Sequence, residues 1–199
     1  VCISLFIGAI IAFPLAILLY LTRKNGMYQN RFVNGLLNII INVIRSTPFI
    51  IMLVCIMPLT KVLVGTRIGT KAALVPLTIY IAPYLARLME GALLETKAGI
   101  IEAAEAMGAT PLQIVWHFIL PESLGSLILT ITTGTIGLIG ATAMAGYIGG
   151  GGIGNIALTY GYQQFNNRLM FFTVLILIIV VQLIQNLGTW ASAKIRRAR

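Results

Sequence analysis

The sequence predicts an all-α integral membrane protein of about five transmembrane helices, and three observations carry that expectation. The chain is 58% hydrophobic and 10% charged, with a mean hydropathy of +0.96. A soluble domain is roughly 45–50% apolar and about 25% charged. The apolar residues also fall into runs of the ~20 residues needed to cross a bilayer. Finally, the basic residues gather in the gaps between runs, where they report topology.

The elements follow in order. Residues 1–22, "VCISLFIGAIIAFPLAILLYLT", make the first span, with Pro14 inside it. A cleaved signal peptide does not fit, because the run is too long, no small-residue cleavage site follows, and the basic residues come after it. The chain opens on Val1 rather than methionine, so the first helix is expected to be truncated at its start. "RKNGMYQNR" is a polar turn. The segment at about 32–59 carries Asn34, Asn38, Asn42 and Arg45 at helical spacing, then Pro48, and ends at Pro58. Such a stripe suits a helix lying partly in the interface that turns into the bilayer near Pro48. "TKVLVGTRIGTK" is a loop, and the third span covers about 72–89. A fourth runs from about 123 to 148 and leads into a glycine-rich loop. The fifth, about 169–192, ends in "KIRRAR".

Five crossings put the two chain ends on opposite sides. Arg23, Lys24, Arg31, Arg87, Lys97, Lys194, Arg196, Arg197 and Arg199 share one side, and Lys61, Arg67, Lys71 and Arg168 the other. The excess of positive charge places the C-terminus and residues 90–122 in the cytoplasm. The net charge of +9 is thereby read as topology, not as nucleic-acid binding.

The chain has no aspartate, and its five acids, Glu90, Glu95, Glu102, Glu105 and Glu122, lie in or beside that one cytoplasmic loop. "IIEAAEAM" is built of strong helix formers. Gly108 then supplies a left-handed corner. Thr110 with Pro111 reads as the cap and first residue of a second helix running to Pro121. Small Ala103 and Ala104 would let another protein's backbone approach, and Glu102 and Glu105 would give that surface its sign. Arg87 and Glu90 are spaced to pair on one helix face, where an exposed pair contributes little. Arg45 and Arg87 read otherwise as anchors reaching toward headgroups.

These loop residues resemble the cytoplasmic signature of ABC-importer permeases: Glu102-Ala103-Ala104, three residues, Gly108, nine residues, an apolar anchor, one residue, then Leu120-Pro121. Phe118 stands where the family usually has isoleucine. "RSTPFIIMLVCIMPLTKVLVGTRIGTKAALVPL", "APYLARLMEGALLE", "EAMGATPLQIV" and "GGGGIG" look like the methionine-uptake branch. The resemblance implies the type I importer fold with a cytoplasmic coupling helix, one membrane domain over residues 1–199, and a homodimer in a bacterial inner membrane. It also implies two ATPase subunits, which use ATP and Mg and grip Glu102, Ala103, Ala104, Glu105, Gly108, Ala109, Leu120 and Pro121. An extracytoplasmic binding protein or lipoprotein would deliver D- or L-methionine; another polar or sulfur-containing amino acid is the alternative cargo. This chain itself would bind no cofactor and catalyse nothing.

Other motifs are weaker. "GTRIGTK" and Gly149, Gly151, Gly154 imitate nucleotide-binding patterns, but with the wrong spacing or after a helix instead of a strand. The lone His117 and the apolar settings of Cys2 and Cys55 offer neither a metal set nor a triad. An ion-coupled transporter would keep carboxylates at mid-membrane, and no predicted span holds one. Thr133, Gly137, Ala141, Ala145 and Gly149 recur every fourth residue. Such a stripe serves either packing within one subunit or the axis of a dimer, lining the path. Met144 beside it is a candidate gate, its flexible thioether suited to plugging an irregular gap.

Overall fold

The computed structural model describes residues 1–24 and 26–197. Arg199, one of the basic residues used for topology, lies outside the described residues, as does Asn25 of the polar turn. The described chain is helical, with no strand among its elements: α1 Cys2–Thr22, α2 Arg31–Ser46, α3 Phe49–Val64, α4 Thr70–Leu94, α5 Ala98–Ala106, α6 Pro111–Ile114, α7 Leu120–Ala145, α8 Ile153–Asn155 and α9 Asn167–Arg197. Among the described residues four helical segments are long and apolar enough to cross a membrane, and α2 with α3 makes a fifth only as a pair bent by 110°.

The centre of the molecule is α4, which packs on α1, α2, α3 and α7. The closest contact is with α1, and its cause is a stripe the sequence reading passed over. Ser4, Gly8, Ala12 and Ala16 recur every fourth residue and are all buried. A Cβ on Gly8 would stand 2.3 Å from Ile81 Cγ2. In lipid, helices gain little hydrophobic drive toward one another, so close backbone approach through small residues does the joining. The same device sets α7 on α4, where a Cβ on Gly134 would collide with Leu85 Cδ2, and α9 on α7, where a Cβ on Gly188 would collide with Thr132 Oγ1.

The break near Pro48 occurs as the sequence predicts. Asn30 Oδ1 accepts from the backbone N–H of Phe32 and of Val33, both at 3.1 Å, and starts α2. Thr47 is extended, as the residue before a proline prefers, and Pro48 caps α3. The predicted stop at Pro58 does not occur. Where lipid offers no water to an unwound backbone, the helix continues past the proline, and α3 ends at Gly65 (φ 80°), whose N–H reaches Lys61 O. The loop between α3 and α4 is correspondingly shorter than "TKVLVGTRIGTK".

A second predicted stop, at Pro121, is also overridden. A π-helical turn over Val115–Ile119 joins α6 to α7, and Leu120 N–H bonds Val115 O. This wider ring relieves the clash a proline makes with the turn before it, so Pro111–Ala145 runs as one 35-residue segment. The glycine-rich loop, in turn, contains short helix α8 and a π turn over Ile156–Tyr162.

Two ends of the bundle can be told apart. At one, Tyr20 and Arg23 share a small cavity with Ile101 and Glu105, and Arg196 Nη2 donates to Ser126 Oγ at 2.9 Å. At the other, Gly69 N–H bonds Ile148 O at 2.8 Å. This second contact explains both nucleotide-like glycine patterns. They are two turns lying against each other, with Gly149 facing Ile68 and Gly69.

Candidate docking loop and membrane cavity

The loop between α4 and α7 is held by two helix-end motifs placed back to back. At the end of α5, Gly108 has φ +76°. Its N–H bonds Glu105 O at 2.9 Å, and the N–H of Ala109 bonds Ala104 O at 3.1 Å. That pair of bonds is the Schellman arrangement, which satisfies the orphan carbonyls of a helix end and needs a left-handed residue at its corner. A Cβ on Gly108 would meet nothing within 4 Å. The glycine is therefore required by backbone conformation and not by crowding within this chain. One residue later α6 begins with a reciprocal cap: Thr110 Oγ1 accepts from Gln113 N–H at 3.5 Å, and Thr110 N–H donates to Gln113 Oε1 at 2.8 Å. Pro111 occupies the first helical position, where its missing N–H costs nothing. Gln113 was missed by the sequence reading, although Thr-x-x-Gln is itself a capping-box signal.

The signature residues divide between the two sides of this hairpin. Glu102, Ala103, Glu105 and Gly108 are exposed, and Ala109 and Pro121 are partly buried. Ala104 is fully buried in the cluster that holds Ile114, Val115 and Ile119, and Leu120 joins them there. Ala104 therefore does not offer the close-approach surface the sequence suggests. Its small side chain lets α5 lie down on α6 and the π turn. Exposed beside the acids are Met107, Leu112 and Trp116. The outer face of the hairpin thus carries carboxylates and large apolar side chains together.

The five acids are not one handle. Glu90 lies inside α4 and is only 7% exposed, and its Oε2 accepts from Arg87 Nη1 at 2.6 Å. The expectations of a weak exposed pair, of Arg87 as a headgroup anchor, and of carboxylate-free spans all give way here. Arg87 Nη2 also donates to Asn38 Oδ1. Asn38 Nδ2 bonds Asn34 O at 2.8 Å, and Asn34 Nδ2 bonds Leu19 O at 3.3 Å. Asn34 and Asn38 thus form a ladder from α1 to α4, while Asn42 and Arg45, the other two members of the stripe, are exposed. Glu95 accepts from Ser126 Oγ, which itself accepts from Arg196. Nearby Ser192 Oγ donates to Gly125 O at 2.8 Å, so the end of α9 is fastened to the start of α7. His117 Nδ1 lies 3.2 Å from Gln113 O, within its own helix.

The four path candidates separate as well. Residues spaced by four on a helix of 3.6 per turn drift around it. Within α7 the stripe accordingly passes from exposed at Thr133 to buried at Ala141 and Ala145, and its last member, Gly149, lies beyond the helix and is exposed. Gly137, Ala141 and Met144 line a cavity of about 430 Å³ at the α2–α3 elbow, with Arg45, Phe49 and Tyr80. Thr133 instead borders a separate space of about 360 Å³ with Arg87, Glu95 and Arg196. Met144 is 45% exposed, free to meet a partner.

Residues 4–197 match the family described as binding-protein-dependent transport system inner membrane component. A probable D-methionine transport system permease protein, MetI, of Vibrio cholerae serotype O1 is 44% identical over 191 residues, covering 96% of this chain and 84% of the relative. The methionine import system permease protein MetP of Bacillus subtilis is 45% identical over 171 residues, 86% of this chain and 77% of its own length. A solved structure of inward-facing conformations of the MetNI methionine ABC transporter superposes with a TM-score of 0.93 at 44% identity, covering 97% of this chain and 89% of that one.

Proposed function

The chain belongs to the binding-protein-dependent transport system inner membrane components, and on that premise we propose that it is the permease subunit of an ATP-driven importer carrying D- and L-methionine. The observation that carries the cargo is similarity to methionine permeases at 44% identity across 96% of the chain. Residues 1–199 serve as one membrane domain in a bacterial inner membrane. Two copies pair around a path, two separate ATPase subunits hold the α5–α6 hairpins and use the ATP and Mg, and a binding protein or lipoprotein delivers the amino acid from outside.

The hairpin, the α1 end carrying Arg23 and the α9 end carrying Arg196 sit at one end of the bundle. The positive-charge rule supports that end as the cytoplasmic one. Glu102 and Glu105 offer charge to a basic groove, and Ala103 lets its wall come close. Because α6, the π turn and α7 are continuous, motion imposed on the hairpin passes along one rod to Met144 near its far end. Partner closure on ATP binding and reopening after hydrolysis rock the two copies between outward- and inward-facing states. Paired Met144 side chains narrow the path while it faces inward.

The cargo is tested by uptake of labelled methionine into vesicles holding this chain, its ATPase and its binding protein, with ATP beside the ATPase. Accumulation that depends on all three supports the reading; none with methionine, but some with another amino acid, would reassign it. Met144→Ala in the same vesicles should raise ATP hydrolysis or passive leak. Unchanged values for both would remove Met144 as the gate.

A further inference from the structure

We propose that the cavity at the α2–α3 elbow is a transient site for the transported amino acid, with Arg45 holding its carboxylate; this rests on the methionine-permease reading and extends it. The cavity, about 430 Å³, falls within the ~300–1,000 Å³ range of small-molecule sites. It borders the interiors of two helices, at Tyr80 in the middle of α4 and Gly137 in α7, and the head of a third, at Phe49 of α3.

Its chemistry is asymmetric. Arg87, the other cation reaching between α2 and α4, is satisfied by Glu90 and Asn38. Arg45 forms no ion pair with any described carboxylate. Its guanidinium stands 5.9 Å from the centroid of the Tyr84 ring, close to the ~6 Å limit of a cation–π contact. A cation kept among apolar spans marks a functional position, and a guanidinium fork matches a carboxylate in two parallel bonds. Around it lie an edge-to-face pair, Phe49 and Tyr80, with centroids 5.3 Å apart, and the flexible thioether of Met144. Aromatic rings and a polarizable sulfur favour a thioether side chain over a polar one. The floor at Gly137 and Gly140 is open: a Cβ on Gly140 would meet nothing within 4 Å, and one on Gly137 only the edge of the Tyr84 ring at 3.8 Å. A single exposed cation orients the cargo without holding it, as a path that must release its cargo requires.

The test uses the complete transporter in vesicles, comparing wild type with Arg45→Gln and Arg45→Lys. Arg45→Gln should lower the maximal methionine uptake about tenfold or more, the scale of one charge-assisted hydrogen-bonded pair. The half-saturating concentration, set by the binding protein, should stay put, and Arg45→Lys should recover part of the rate. A diazirine analogue of methionine should label peptides containing Phe49 or Met144 in the wild type, whether or not the variant assembles. Uptake by Arg45→Gln equal to wild type, or labelling that avoids these peptides, would overturn the site. So would a defect of Arg45→Gln seen only in anionic lipid, which would assign Arg45 to a headgroup. Failure of the wild type to accumulate methionine would instead overturn the cargo.

Discussion

Gly108→Val should abolish methionine uptake while the chain still inserts in the membrane at normal yield. The left-handed corner at φ +76° costs an ordinary residue about 1–2 kcal/mol, and a β-branched one is a marked outlier there. The chain can escape by unwinding the turn, which gives up the bonds from Gly108 and Ala109 N–H to the end of α5. The core does not depend on that corner, so insertion survives; the angle between α5 and α6 does depend on it, so coupling does not. Gly108→Asn separates the causes, because asparagine tolerates the left-handed region. Substantial uptake by the asparagine variant would locate the requirement in the backbone. Loss with asparagine too would locate it in a partner surface pressed against the glycine. Normal uptake by the valine variant would contradict the coupling role.

The second large effect is on stability. Removing one member of the Arg87–Glu90 pair leaves a charge uncompensated in the helix bundle, a loss of about 3–5 kcal/mol. Glu90→Met alone should therefore lower the thermal midpoint of the purified protein sharply. Arg87→Met with Glu90→Met together should recover most of it, since an apolar pair of similar volume is often neutral or better. Arg87→Met alone also strips Asn38 of a donor, so it should fall at least as far as Glu90→Met. Equal, small effects of all three would show that the pair is solvated.

The contrast between these two positions shows what the sequence exposes and what it hides. The α5–α6 corner is local: helix formers, Gly108, Thr110 and Pro111 lie within a dozen residues, and each acts on its own backbone. Its geometry was therefore readable from composition and spacing. The bend at Pro48 was readable for the same reason. Arg87 and Glu90 also showed their spacing, but neither the burial of Glu90 nor the bond that Asn38 makes with Arg87 from 49 residues away. The stripe of α7 misled in a related way. A four-residue repeat looks like one face, yet its drift carries it from Thr133, exposed, to Ala145, buried. The small-residue stripe that closes the most extensive helix interface belongs to α1, where Ser4, Gly8, Ala12 and Ala16 are interleaved with large residues. Proline was over-read at Pro58 and Pro121, where a lipid-embedded helix and a π turn absorb it. Glu95, Ser126 and Arg196 converge from three helices, a meeting that no local pattern announces.

A permease with no motor of its own should present the α5–α6 hairpin to a separate ATPase inside the cell. The most direct test replaces Cys2 and Cys55, both exposed, and places a single cysteine at the exposed position 103 (Ala103→Cys). A short thiol-to-amine cross-linker should then join this residue to the ATPase subunit in native membranes, with a yield that changes when ATP is bound. Absence of any ATPase adduct, together with labelling of the same cysteine by a membrane-impermeant maleimide in intact cells, would place the hairpin outside and remove it as the docking site.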